Sequence, residues 1–315
     1  MPPFPKPRFD YSYDVAAELS ALRSHRQLRK IPAKAPGKLL LATWNIANLG
    51  VQLRRDSDYE LLAEILGWFD LVAVQEVNDN LAGIRAIHSQ LPPSYRLLVS
   101  DAAGNNERQV FLYDSGKVQQ LEKVGRMSVA PAELRHIKLP GSTAKFAGFD
   151  RGPYMAAFRA GRFSFLLLNV HLFFGDDKPA AIARRSLETF AVARWADLRR
   201  KSPYAFTRDI IALGDFNLPL IDPGDPIYST LTSRGLQLPA YESAVGGSSL
   251  DGLKHYDQIA FFPGETAEYA QAVDVFDFDN ALWKSLYEGR PLKQFLAYCR
   301  YFASDHRPLW AQFDI

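Results

Sequence analysis

Cysteine is all but missing from this chain: Cys299 is the only one in 315 residues. An intramolecular disulfide and a cysteine-built zinc cluster are both excluded, and a reducing compartment fits. No apolar run is long enough to span a bilayer. Met1 to Arg8 carries prolines and scattered basic residues with no apolar stretch behind it, so no secretory signal is visible and a cytoplasmic location is the expectation. An excess of charge of one sign is lacking too. Lys and Arg number 37 against 35 Asp and Glu, a net charge of +2, which does not announce a polyanion partner. No internal repeat or low-complexity tract is present.

What the chain has is an ordinary globular composition, 47% hydrophobic and 23% charged. Residues 1–37 stand apart, with prolines at both ends of Asp14 to Lys30, where Val15, Leu19 and Leu22 recur at helical spacing among Arg23, Arg26, Arg29 and Lys30. We read this stretch as an N-terminal extension with a short basic helix whose charges form a solvated face. From Lys38 onward, apolar β-prone runs alternate with helical ones. Strands are expected at Leu39 to Trp44, Leu71 to Val74, Tyr95 to Val99, Gln109 to Tyr113, Lys117 to Leu121, Tyr154 to Arg159, Phe163 to Val170, Ile210 to Leu213, Gln258 to Phe262 and Leu309 to Phe313. Helices are expected at Tyr59 to Phe69, Leu81 to Gln90, Ala180 to Lys201 and Ala281 to Cys299. Many strands with interspersed helices point to a mixed α/β domain over 38–315, with sheets packed face to face and helices outside.

Six short cassettes end these runs in a fixed order: Thr43-Trp44-Asn45-Ile46, Val74-Gln75-Glu76-Val77, Leu168-Asn169-Val170-His171, Gly214-Asp215-Phe216-Asn217, Tyr256-Asp257-Gln258-Ile259 and Ser304-Asp305-His306-Arg307-Pro308. Each delivers a carboxylate, amide or imidazole at the end of a buried strand. Glu76 follows four apolar residues, where an acid is costly unless it is paired or bound to a cation. Magnesium suits such a place, because it keeps several waters and accepts one or two carboxylates along with phosphate oxygens. Asn45 closes its strand with an amide that orients a carboxylate or a metal-bound water without adding charge. Asp215 and Asn217 lie two residues apart, hence on one face of an extended chain.

In wording and order these cassettes resemble the endonuclease/exonuclease/phosphatase superfamily over about residues 38 to 315. The resemblance implies a four-layer α/β/β/α sandwich and Mg²⁺-dependent phosphodiester hydrolysis, with Mn²⁺ as a substitute. It implies Glu76, Asn45 and Asp305 at the metal, and His306 held by Asp257. It sets His171 opposite them, with Glu107 in Asn105-Asn106-Glu107-Arg108 as its partner. Arg151 in Asp150-Arg151-Gly152-Pro153-Tyr154 matches an arginine that reaches a backbone phosphate, and Asn217 and Asn45 match phosphate-side amides. Either Asp215 or the His306–Asp257 pair prepares the water. Where pancreatic-type deoxyribonucleases place a groove-stacking tyrosine this chain has Asn105, and their cystine pair is absent.

The expected activity is that of a nuclease on DNA or RNA. Two alternatives keep the fold: a phosphomonoesterase or phospholipase-C-like hydrolase of inositol lipids or sphingomyelin, with Phe173-Phe174-Gly175 and Trp283, Leu286 and Tyr287 as candidate apolar rim; and a non-catalytic scaffold that grips phosphate polymers.

Overall fold

Alternation of inward and outward side chains along the strands organises the molecule. The computed structural model describes residues 3–315. In chain order the elements are α1 (Val15–Leu28), β1 (Lys38–Leu49), α2 (Asp56–Gly67), β2 (Leu71–Asn78), α3 (Ala82–His88), β3 (Tyr95–Val99), β4 (Glu107–Asp114), β5 (Val118–Arg126) and a single turn, α4 (Pro131–Leu134). Then come β6 (Tyr154–Ala160), β7 (Phe163–His171), α5 (Pro179–Arg200), β8 (Ile210–Asp215), α6 (Pro226–Thr232), β9 (Asp257–Phe261), β10 (Ala270–Val275), α7 (Lys284–Gly289), α8 (Leu292–Phe302) and β11 (Leu309–Asp314).

The strands form two mixed sheets, of order β10-β11-β1-β2-β4-β3 and β5-β6-β7-β8-β9. Within them β1 runs parallel to β2, and β7 parallel to β8; the other pairings are antiparallel. Odd-numbered residues such as Leu39, Leu41, Leu71, Phe111, Phe165, Ile211 and Ile259 pack between the sheets. On β6 the parity is reversed, with Tyr154, Ala156, Phe158 and Ala160 facing inward, and on each strand the alternate residues take the outer face. Leu40, Trp44, Val72 and Trp310 meet α2 and α8, while Leu166, Leu168 and Ala212 meet α5. The four expected layers are present, and the strands bury both faces as their apolar runs require.

The late helix is where the expectation needs correction. Ala281 to Cys299 is not one helix but α7 and α8, because Pro291 lacks a donor and Arg290 before it is extended. The edge strand β10 and the seven-residue α6 have no counterpart among the expected elements; Ala270-Gln-Ala-Val-Asp-Val carries little β signal, and α6 rests on an Asp225 cap followed by Pro226.

The N-terminal helix is docked rather than set apart. Asp14 caps it, Leu22 is fully buried, and Phe9, Tyr11 and Tyr13 pack on the same core. Of its cations, Arg23 and Lys30 are exposed and Arg26 and Arg29 are partly buried. Arg23 makes a two-bond fork with Glu64, Arg26 lies 5.2 Å from the Trp68 ring centre, and Arg29 and His25 close on the buried Asp277. Among the described residues, no helix is long and apolar enough to cross a membrane.

Candidate active site

The two parallel pairs end at one edge of the sandwich, and the polar cassettes sit on those ends. Strand alternation sends Asn45, Gln75, Asn169, His171, Asp215 and Asp257 to the space between the sheets, continuing the rows of Leu41, Ala73, Leu167, Leu213 and Ile259. On the second sheet, His171 is directly opposite Asp215, and Asp215 opposite Asp257. Gly214 makes this row possible: a Cβ there would sit 2.2 Å from the Val170 carbonyl oxygen, and its φ of +128° is left to glycine.

Alternation alone would aim Glu76 at the outer helices. A bulge redirects it. The β2–β4 register slips between Val74 and Val77, and Glu76 takes a left-handed φ of +58°. Its carboxylate thereby accepts from Asn45 Nδ2 at 3.1 Å and from the Asn48 backbone at 2.9 Å. Asn48 and Asn217 are left-handed too, at +49° and +52°. Three such residues at the mouths of adjacent strands mark local strain that the surrounding packing sustains.

Asp215 links the two sheets. Its Oδ2 accepts from Asn45 Nδ2 at 3.0 Å and its Oδ1 from the Asn217 backbone at 2.8 Å. His171 Nε2 lies 3.8 Å from Glu76 and 3.7 Å from Asp215, while its Nδ1 is 3.1 Å from Glu107 Oε2. Burial works to raise the Glu107 pKa, yet His171 and Arg151 overcome it and hold this carboxyl well below the usual range. On the other flank, His306 Nδ1 bonds Asp257 Oδ2 at 2.7 Å, and Nε2 faces Asp215 Oδ2 at 3.9 Å. Burial opposes charging of this ring, but Asp257, Asp215 and Asp305 together push its pKa well above the ordinary imidazole value. Burial, with Glu76 nearby, raises the Asp305 carboxyl against the pull of His306 and Arg300.

The donor set fits a hard divalent cation. The Asn45 amide donor stands between two buried carboxylates that would otherwise repel, and its Oδ1 has no partner among the described residues. A second grouping overlaps this one: ligand atoms of Asp215, Asp257 and His306 all lie within 4.8 Å of one another. Asn45, Glu76, His171, Asp215, Asp257 and His306 are thus brought together at the strand ends, and Asp215 joins the residues able to offer a ligand atom.

Arg151 differs from its expected part. It is 6% exposed, and its fork is spent on the His171 and Leu172 carbonyls and on Asp150, with Glu107 3.8 Å away. It anchors the end of β7 rather than offering an open fork to phosphate. Asn217 is similarly engaged, its Nδ2 donating to the Leu172 carbonyl at 2.8 Å. Trp283 and Leu286 are core residues at 1% and 2% exposure, so they form no apolar rim.

Several supports were not singled out from sequence. Gln75 Nε2 bridges to Asn169 Oδ1 at 2.7 Å across the sheets, directly beneath the acids. The Ser304 hydroxyl donates to the Asn45 carbonyl at 2.6 Å and accepts from the His306 backbone at 3.0 Å. Buried Arg54 ties Ala47 to Phe302 and Ala303. Ser304, Gln75 and Asn169 lie inside their cassettes, so the sequence carried a signal for them; Arg54 read as an ordinary polar residue.

No family model matches the chain. The solved structures speak to the fold. An endonuclease/exonuclease/phosphatase family protein from Bacteroides thetaiotaomicron superposes with a TM-score of 0.57 at 20% identity, covering 89% of this chain and 96% of that one. This chain has the endonuclease/exonuclease/phosphatase fold. With the same fold, D. rerio TDP2 complexed with single-strand DNA product aligns at a TM-score of 0.58 and 15% identity, over 88% of this chain and 99% of that one. In sequence, the chain is 33% identical over 198 residues to a protein named deoxyribonuclease from Thioalkalivibrio sp. (strain K90mix). The match covers 60% of this chain and 49% of that protein, so the chain spans about half the length of the curated relative.

Proposed function

We propose that this endonuclease/exonuclease/phosphatase-fold chain is a divalent-metal-dependent phosphodiesterase acting on nucleic acid. One observation carries the reading: Glu76, Asp215 and Asp257 converge with Asn45, His171 and His306 in a single cleft where the acids outnumber the cations. The deoxyribonuclease relative supports a nucleic-acid substrate over other phosphate esters. Glu76, Asn45, Asp215 and Asp305 would hold Mg²⁺, which supplies polarisation of a non-bridging phosphate oxygen and neutralisation of developing charge.

Asp257 fixes the His306 ring through Nδ1, so Nε2 is presented to the cleft. The 3.9 Å between Nε2 and Asp215 Oδ2 is too long for a direct hydrogen bond, so both groups are left facing the reacting centre. His306 and Asp215 face one another across this gap, placed between them to take the proton of the attacking water and to steady phosphate oxygens. A P–O bond forms to that water as the bond to the leaving oxygen breaks. His171, oriented by Glu107, stands at the opposite flank to protonate that oxygen.

The test is a substrate panel of supercoiled plasmid, single-stranded DNA, RNA, inositol phosphates and sphingomyelin, each with Mg²⁺, Mn²⁺ or EDTA. Metal-dependent cleavage of a nucleic acid is the expected result. Turnover confined to inositol phosphates or sphingomyelin, or no turnover at all, rejects the reading.

A further inference from the structure

Beside the His306–Asp257 pair stand two aromatic rings that the chemistry above does not use. The Tyr256 ring centre is 5.6 Å from that of His306, and Phe174 meets Tyr256 edge-on at 6.2 Å and 81°. Both rings are partly exposed. They are also held from below. Arg185 of α5 is fully buried, places its guanidinium 4.8 Å from the Phe174 ring centre, and donates to the carbonyls of Phe174 (2.8 Å), Asp176 (3.0 Å) and Asn217 (3.0 Å). One buried cation thus fixes the loop after β7 against the turn after β8. The next ring along, Phe173, is covered by Arg184 at 3.9 Å. Core aromatics are enclosed by neighbours; these two are braced and partly exposed at the edge of the reacting centre.

Charge narrows what such a wall can take. Tyr256 directly precedes the buried Asp257, which stands opposite Asp215, and its ring flanks His306, so the wall lies beside two buried acids. A second phosphate, as on a polyphosphorylated inositol, would be repelled there. An uncharged nucleobase, with a π-face and donor amino groups, would not. An acyl chain needs a broader apolar surface, and Trp283 and Leu286 are enclosed in the core.

We propose that Phe174 and Tyr256 form a stacking wall for a nucleobase adjoining the scissile phosphate. The proposal rests on the phosphodiesterase reading for its biological meaning, but it can fail independently. A stacked base contributes roughly 1–3 kcal/mol, about tenfold or more in affinity.

The experiment compares the full chain on two single-stranded oligomers of equal length, one of deoxyadenosine and one of tetrahydrofuran abasic units. Two readings are taken: kcat/KM with Mg²⁺, and binding by fluorescence anisotropy in EDTA. The wild type is expected to favour the base-bearing oligomer about tenfold in both. Phe174→Leu and Tyr256→Leu should collapse that ratio towards one, chiefly through KM, while Phe174→Tyr and Tyr256→Phe keep it. Equal handling of the two oligomers by the wild type, or leucine variants that retain its ratio, overturns the wall. If neither oligomer is cleaved, the substrate panel above decides the phosphodiesterase reading, and the anisotropy ratio alone decides the wall.

Discussion

Two clusters of buried acid in this molecule are built in opposite ways. At Asp277 the carboxylate accepts from Arg29, His25 and Asn280, two residues before Asp279 forks onto Arg307. Every oxygen there has its donor. At the strand mouths, Glu76, Asp215, Asp257 and Asp305 share two histidines and one amide, and Asn45 Oδ1 and Asp257 Oδ1 are buried without partners among the described residues. The first cluster fastens α1 to the body of the protein. The second carries more acids than cations, and in the proposed function an outside cation would relieve that imbalance, which is what would separate a working site from a strut.

The largest expected effect breaks the rim. Glu76→Gln should lower phosphodiesterase turnover by roughly 10³-fold or more, since transition-state charge loses its stabilisation. Its melting temperature should hold or rise, because the variant removes one of the crowded acids. Turnover within a few-fold of wild type would reject Glu76 as a metal ligand.

Breaking the strut should do the reverse. Asp277→Asn leaves Arg29 and His25 without their carboxylate and should cost roughly 3 kcal/mol of stability, read by chemical denaturation, with far less effect on the rate per folded molecule. The pH dependence has a definite sign. Burial opposes ionisation of Asp277, but His25, Arg29 and Asn280 overcome it and hold its pKa below the ordinary value of about 3.9. A depressed carboxyl stabilises fully above the unfolded pKa and loses that contribution as pH falls towards the folded one. The wild type should therefore lose more stability than Asp277→Asn as pH drops below about 4; parallel acid curves would remove Asp277 from the account.

The smallest effect sharpens the contrast. Mg²⁺ at 100 times its Kd should stabilise the wild type by about 2.7 kcal/mol, seen as a rise in melting temperature. Asp277→Asn should respond alike and Glu76→Gln should not. An equal response in Glu76→Gln would place the ion elsewhere.

Much of the site was legible in the chain because strands have a period of two. Once β1, β7, β8 and β9 are recognised, Asn45, His171, Asp215 and Asp257 fall on the same side as the apolar residues before them. Glu76 is the instructive exception. Its even position points away from that side, and only the bulge, stabilised by packing between β1 and β4, turns it inward. Arg151 could not be read either, since a guanidinium serves phosphate or a backbone carbonyl equally well until the fold sets one beside it.

Local patterning by itself determined every strand but β10, most helices, the order of the polar strand ends and hence the layered architecture, because these depend on neighbours within a few residues. Contacts between segments apart in the chain decided the rest: the docking of α1 through Asp277, the commitment of Arg151 to β7, and the Arg185 prop beneath Phe174. Each turns on which buried charge meets which partner, and partners 11 to 252 residues apart in the chain are brought together only by folding.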